Sequence, residues 1–385
     1  MFKKLVIAGA LATAVAGTAL AQSNLTSGVQ IYGVMDAGVV SASNAGTANA
    51  RITAFTSGVD QTSRLGFRAT EDLGGGLKAG AVMEHQVDLG NGSQGLASGS
   101  GSANAVFGRG ANVFVENNAW GKLTLGRQSN AAWATYQKFD GRNSSNFGSV
   151  TTFINDGSSF GGTATAKTGV SALTGTAWFS NAIRYDTPTF AGVSGTYARV
   201  FGNTAGDLDF GKADQYVLRY DNNGMVFGAV GYYTANSSAG VENARTRWYG
   251  AGVRATKDLT ITANLYQMEN PSSTAANTKF DLKSFGARYQ INPKLYANAG
   301  YYILDDKVTT ANGAKLTSAS LNYDLSKRTA LFVGASKTNL SGTSGISAWG
   351  NGGGVNYDSL GQSGNKLAAQ GQDQTAYAVG IRHSF

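Results

Sequence analysis

The sequence predicts an all-β fold, a transmembrane antiparallel β-barrel of sixteen strands with short periplasmic turns and long external loops. Three observations predict it. Polar and apolar residues alternate along many short segments, glycine-rich turns recur about every 35 residues, and an export signal begins the chain. A closed barrel satisfies its backbone polar groups in lipid, so such a chain can cross a membrane without apolar helices.

The start of the chain has the pattern of a secretory signal peptide. Lys3 and Lys4 precede an apolar run, and small residues ending at Ala21 suit cleavage. The apolar run is too short to span a bilayer as a helix. We therefore expect residues 1–21 to be removed and residues 22–385 to form one barrel domain.

The hairpin at residues 62–88 shows the alternation most clearly. Arg64 and Arg68 alternate with apolar residues on the first strand, and Glu84 shares their face on the returning strand. A turn centred on Gly74 would place Arg64 opposite Glu84. One such hairpin would also fit a soluble β-sandwich. Recurrence of the pattern along the whole chain favours a barrel with a lipid-facing and a water-facing side.

Seven compact clusters rich in Gly, Asn, Asp and Pro set the architecture. We interpret them as periplasmic turns that join fourteen strands. A first strand from Val29 to Ser41 and a last strand from Thr375 to Phe385 bring the number to sixteen, with both termini in the periplasm. The turns are centred at Gly74, Ala119, Thr189, Asn222, Lys257, Asn292 and Lys327.

External loops are predicted at residues 44–60, 89–105 and 339–373. The connection 127–178 is longer than the repeat allows and should have a function of its own. In it, Ser129 or Asn130 could cap a short helix over residues 131–139. The residues alone leave open whether this loop is exposed or folds into the lumen.

The composition argues against several function classes. With no cysteine, the chain has no disulfide framework. Its two histidines, His85 and His383, fall on outward-facing positions without an evident serine or aspartate partner, and no metal-binding cluster is recognisable. The basic residues that give the formal charge of +8 are spread over many strands, which argues against nucleic-acid binding. We expect no enzyme, cofactor or metal site.

A barrel of about sixteen strands is wide enough to leave an aqueous channel. Arg184, Arg219 and Arg254 fall on positions that face this lumen. The fold therefore predicts a path for diffusion across a membrane.

Four segments together resemble the trimeric general porins of Gram-negative bacteria, particularly the beta-proteobacterial branch. They are TSRLGFRATEDLGGGLKAGAVMEHQ from Thr62, KLTLGRQSN from Lys122, SNAIRYDTPTFAG from Ser180 and the ending YAVGIRHSF. The resemblance implies a sixteen-stranded barrel, a homotrimer, and a third loop folded into the lumen as a constriction.

The resemblance also implies site residues. Two lumen arginines of the family match Arg64 and Arg127, and its acidic residue on the third strand matches Glu84. Trp178 stands where many relatives carry a third arginine. For the acidic partner in the loop, Asp140 is preferred to Asp156 because it follows the predicted helix. The residues expected at the constriction or lumen are thus Arg64, Arg68, Glu84, Arg127, Asp140, Trp178 and Arg184.

We expect a general diffusion porin for small hydrophilic solutes and inorganic ions, located in the cell outer membrane. The arginines, with Lys78 and Lys122, outnumber Glu84 and Asp140, which predicts a mild anion preference. A substrate-specific sugar channel is the alternative, because several aromatic residues also fall at inward positions. These are Trp178, Trp248, Tyr296 and Tyr302.

The last strand resembles the signal that the barrel-assembly machinery recognises in outer-membrane proteins. Its outward face is expected to carry Tyr377, Val379, Ile381 and the terminal Phe385. The expected partners are this machinery, the lipid bilayer with its lipopolysaccharide, and two further copies of the chain.

Overall fold

The computed structural model describes residues 27–45, 49–94, 105–156, 177–273, 278–342 and 371–385. The predicted signal peptide and its cleavage site lie outside the described residues. So do residues 95–104 and 343–370, which make up most of two predicted external loops.

Strands account for most of the described chain, and two short helices lie in the connection that follows the sixth strand. The strands are β1 Gly28–Ala45, β2 Ala50–Ser57, β3 Arg64–Gly74, β4 Leu77–Gln86, β5 Gly110–Asn117, β6 Gly121–Ser129, β7 Trp178–Asp186, β8 Val193–Val200, β9 Ala213–Tyr220, β10 Val226–Asn236, β11 Glu242–Arg254, β12 Leu259–Glu269, β13 Lys279–Asn292, β14 Leu295–Asp306, β15 Gly313–Asp324, β16 Thr329–Ser341 and β17 Gln374–Ser384. The helices are α1 Ala131–Tyr136, continued by a 3₁₀ turn Gln137–Phe139, and α2 Val150–Asp156. No helix among the described residues has the length and apolarity to span a bilayer.

One antiparallel sheet closes on itself because β17 pairs with β1. On the other edge of β1, residues 37–45 pair with β2 and residues 28–34 pair with β3. β2 and β3 therefore form one barrel strand, interrupted at residues 58–63. The closed barrel has sixteen strands, as predicted.

The predicted external loop at residues 44–60 is wrong, because β2 occupies residues 50–57. This segment is short and its neighbours are Asn, Gly, Ala and Ser, which are equally common in loops. The segment is a strand because it pairs with β1, and its own residues do not reveal this pairing.

The seven predicted turns are confirmed, since each joins two adjacent antiparallel strands. The first turn shows why glycine is needed there. Gly74, Gly75 and Gly76 have φ values of 84°, 58° and 78°, a region that residues with a Cβ rarely adopt.

Large apolar side chains cover the outer face of the barrel. Leu218 and Phe285 are each 53% exposed, and such exposure suits contact with acyl chains. The closing strand follows the same rule, because Tyr377, Val379 and Ile381 are 56%, 57% and 47% exposed. The inward positions carry the groups described next.

Candidate functional site

The connection after β6 begins with the predicted helix. The side chain of Asn130 caps α1 by accepting from the backbone N of Trp133 at 3.1 Å. Gln215 on β9 ties this start to the wall, since it accepts from the backbone N of Ala132 at 3.1 Å and donates to Asn130 at 2.6 Å. The helix therefore leaves its strand and turns into the lumen.

Aromatic packing holds this helix and the 3₁₀ turn against the inner wall. The ring of Tyr136 lies 5.6 Å from that of Tyr266 and 6.3 Å from that of Trp248. Phe139 packs on Trp248 at 5.7 Å and on Phe227 at 5.3 Å. Burial raises the pKa of Tyr136 well above the usual value of a phenol, so its hydroxyl stays neutral.

Asp140 joins the loop to the wall and does not face water. It is fully buried and accepts from the hydroxyl of Tyr302 and from the backbone N of Arg142 at 3.2 Å and of Ser144 at 2.8 Å. Its predicted role as an acidic group facing the channel is therefore corrected. A carboxylate that accepts several hydrogen bonds is an anchor for the loop.

Two glycines allow the loop backbone to touch the wall. A Cβ on Gly286 of β13 would lie 2.3 Å from the Cα of Gly141, and a Cβ on Gly141 would lie 2.2 Å from the carbonyl of Ala299. Any side chain at either position would push the loop away. Next to this contact, the guanidinium of buried Arg142 donates to Ser320 on β15. Burial lowers the pKa of Arg142, but an arginine remains charged.

The loop then reaches the interruption between β2 and β3. Asn146 donates from Nδ2 to the carbonyl of Gly58 at 2.9 Å and to the hydroxyl of Thr62 at 3.2 Å. Its backbone N donates to the carbonyl of Asp60 at 3.0 Å, and the carboxylate of Asp60 binds Arg382 on β17. The described part of the third loop therefore runs along the lumen from β6 to the place where β1 and β17 close the barrel.

We call β9 to β16, on which this loop rests, the docked wall. We call β3 to β7 the basic wall. Many inward side chains of the docked wall are buried beneath the loop, whereas most charged groups of the basic wall remain partly exposed.

Glu84 is the centre of the basic wall. Its carboxylate accepts from Nε of Arg109 at 2.6 Å and from the hydroxyl of Tyr32 at 3.0 Å, and lies 4.0 Å from Nε of Arg64. Glu84 pairs with Gly66 in register, so Arg64 lies diagonal to it and not directly opposite. Gly74 pairs with Leu77, so the turn is centred between Gly75 and Gly76, and the irregularity between Asp72 and Gly74 then shifts the register by one residue. The strands therefore pair two residues away from the register that a turn centred on Gly74 predicts.

Arg109, at the end of the second external loop, was missed by the sequence analysis. Its guanidinium stacks over the ring of Trp178 at 4.4 Å. Trp178, at the start of β7, thus supports an arginine that directly precedes β5. Arg127 holds the same loop end, since its Nε donates to the carbonyl of Gly108 at 2.6 Å and its Nη1 donates to Ser180.

Further charges line the periplasmic half of the basic wall. The cationic groups of Arg68 and Lys122 lie over the ring of Phe114, at 5.6 and 3.8 Å from its centroid. Lys122 pairs with Glu116 at 3.4 Å, and Arg184 with Asp186 at 2.8 Å. Lys122 and Arg184 each have a carboxylate of their own, whereas Arg64 and Arg109 share Glu84. A net positive charge therefore remains around Glu84.

The described residues contain no group of three or more His, Cys, Asp or Glu side chains that could hold a metal ion. The two histidines lie on separate parts of the barrel. A ring nitrogen of His85 contacts the carbonyl of Val106, and His383 contacts the hydroxyl of Thr329 at 2.9 Å.

Comparison with known proteins gives consistent results. A family model described as Gram-negative porin matches residues 8–343. An outer membrane porin protein of Bordetella pertussis is 31% identical over 277 residues, which cover 65% of this chain and 65% of that protein. Outer membrane porin protein 32 of Delftia acidovorans is 29% identical over 398 residues, covering all of both chains.

A solved structure has the same fold. The anion-selective porin from Comamonas acidovorans superposes with a TM-score of 0.73 at 22% identity, over 93% of this chain and all of that one. At this identity the superposition establishes the architecture.

Proposed function

The chain belongs to the Gram-negative porin family and forms a general diffusion channel in the outer membrane, and we propose that this channel prefers anions. The observation that carries the proposal is the cluster around Glu84. There Arg64 and Arg109 share one carboxylate, while Asp140 is fully buried and adds no negative charge to the water. Fixed charge at a narrow neck biases which ions enter.

The electric field of these charges acts over a distance comparable with the width of a narrow channel. Arginines stay protonated at any relevant pH, so the field is permanent. The screening length is about 8 Å at physiological salt, so the field acts within the neck and is weak outside it. Small hydrophilic solutes should pass without saturation, with anions favoured.

The test is the reversal potential of single channels in a KCl gradient. Arg109→Ala and Arg64→Ala should each lower the anion-to-cation permeability ratio, because each removes an unbalanced positive charge. Lys257→Ala is the matched control, since its side chain is 84% exposed on a periplasmic turn far from the neck. An unchanged ratio in both arginine variants, with the barrel intact, would disprove the proposal.

The alternative, a sugar-specific channel, requires an exposed path of aromatic rings. Trp248 and Tyr302 are 2% and 0% exposed because the third loop covers them, so neither can bind a passing sugar. Saturable sugar uptake, or block of ion current by an oligosaccharide, would favour this alternative.

We also propose that the protein is a homotrimer without enzymatic activity. In this proposal the signal peptide is removed after Ala21, and the barrel-assembly machinery reads the outward face of β17 up to Phe385. Single-channel steps grouped in threes, and a gel band that shifts on boiling, are the expected signs of the trimer.

A further inference from the structure

The outer wall carries an apolar concavity across β9 to β13. Its volume is about 670 Å³, within the range of sites that hold small molecules. Gly228, Ala251 and Ala263 form its floor, and they lie side by side in one register row of β10, β11 and β12. In this row, three neighbouring strands therefore present no side chain larger than a methyl group.

Larger apolar side chains form the rim. Tyr220 and Phe285 occupy the two ends of the same register row and are 40% and 53% exposed. Leu218 and Tyr249 border the concavity in the next row toward the external loops. The concavity is thus open, apolar and on the lipid-facing side of the barrel.

Lys283 lies at the end of the concavity nearest the external loops. It lines the same space, two residues before Phe285 on β13. Along a tilted strand it stands roughly 23 Å above the periplasmic end, near the upper edge of an apolar band about 25 Å tall. Its Nζ is 3.2 Å from Asp305, but both side chains are about 40% exposed, and such pairs contribute little.

We propose that this concavity holds an acyl chain of an outer-leaflet lipid whose phosphate headgroup binds Lys283. The apolar floor lies at acyl-chain depth, and the cation lies at headgroup depth. A second copy of the chain fits less well, because its contact would bury the charges of Lys283 and Asp305. A flexible acyl chain can fill the space and leave both charges at the polar surface.

The test uses native mass spectrometry of the purified, delipidated protein mixed with synthetic bis-phosphorylated lipid A or its dephosphorylated form. Ala263→Phe fills the floor and Lys283→Gln removes the cation. Both should lower occupancy by the phosphorylated lipid at least tenfold. Ala319→Phe and Lys315→Gln, which make the same changes at exposed positions of β15, should bind as the parent does.

Parental occupancy in both concavity variants would overturn the proposal, and equal binding of the dephosphorylated lipid would overturn the role of Lys283. The second-copy alternative is tested with Ala251→Cys, because the chain has no other cysteine. Disulfide-linked dimers of this variant in intact outer membranes would assign the face to a subunit contact and disprove the lipid site. Lipid binding that depends on both Ala263 and Lys283 supports it.

Discussion

The docked wall and the basic wall are built from the same alternating strands but carry different inward groups. On the docked wall Leu282, Tyr302 and Leu316 are each 0% exposed. On the basic wall, the side chains of Lys122 and Glu116 keep 27% and 35% exposure. An apolar inward face would be unfavourable against a water column, so it must be covered, and the third loop covers it. Water and ions are therefore directed toward the charged side.

This comparison separates two roles. Contacts on the docked wall hold the loop and set the width of the channel, whereas charges on the basic wall set the ion preference. Variants on the docked wall should alter conductance, and variants on the basic wall should alter selectivity.

Phe153→Ala should have the largest effect. Phe153 on α2 is 0% exposed and packs near Tyr302 with a ring separation of 6.2 Å. Truncating a buried phenylalanine costs about 3–5 kcal/mol. Docking of the loop should weaken, and single-channel conductance in planar bilayers should rise. Phe153→Leu, which keeps most of the volume, should stay near the parent. A folded Ala variant with unchanged conductance would show that the loop does not depend on this contact.

Gly286→Val should also weaken docking of the third loop, but by less than Phe153→Ala does. Its side chain would meet the backbone of Gly141, and overpacking costs roughly 1–3 kcal/mol. Limited proteolysis should cut the loop faster than in the parent. The control is Gly228→Ala, where an added Cβ meets only the carbonyl of Gly250 at 3.4 Å. Equal cleavage rates in the two variants would contradict a docked loop.

Glu84→Gln tests the basic wall. It removes the carboxylate shared by Arg64 and Arg109 and preserves the shape of the side chain. A unit charge about 6 Å from a passing ion in water contributes about 0.7 kcal/mol, and salt screening at physiological strength roughly halves this. The carboxylate repels anions and attracts cations by the same amount, so its removal should raise the anion-to-cation permeability ratio about threefold. Conductance should change little. A fall in the ratio would mean that Glu84 mainly positions the arginines.

Added salt should have the smallest effect and should act on selectivity alone. The screening length falls from about 10 Å at 0.1 M to about 3 Å at 1 M. At a fixed ratio of concentrations across the membrane, the anion preference should therefore weaken as total salt rises. A preference independent of salt would point to size selection and not to the arginine charges.

Much of the fold could be predicted because its signals are local. The seven turns needed only short clusters such as the glycines at 74–76, and the helix start needed only the Asn130 cap. The strand at residues 50–57 was missed since its identity depends on pairing with β1. Phe280 and Leu282 are apolar and lie at inward positions of β13. They were a local sign in the sequence that another part of the chain covers that wall.

The sequence by itself determined most of the segments that cross the membrane and, for many strands, which face turns toward lipid, because a period of two is a property of neighbouring residues. Only the tertiary structure decided the rest. It placed Arg109 beside Glu84, set Arg64 diagonal to it, buried Asp140, and brought Gly141 against Gly286. These contacts join residues far apart in the chain, so they exist only once the barrel has closed and the loop has docked inside it.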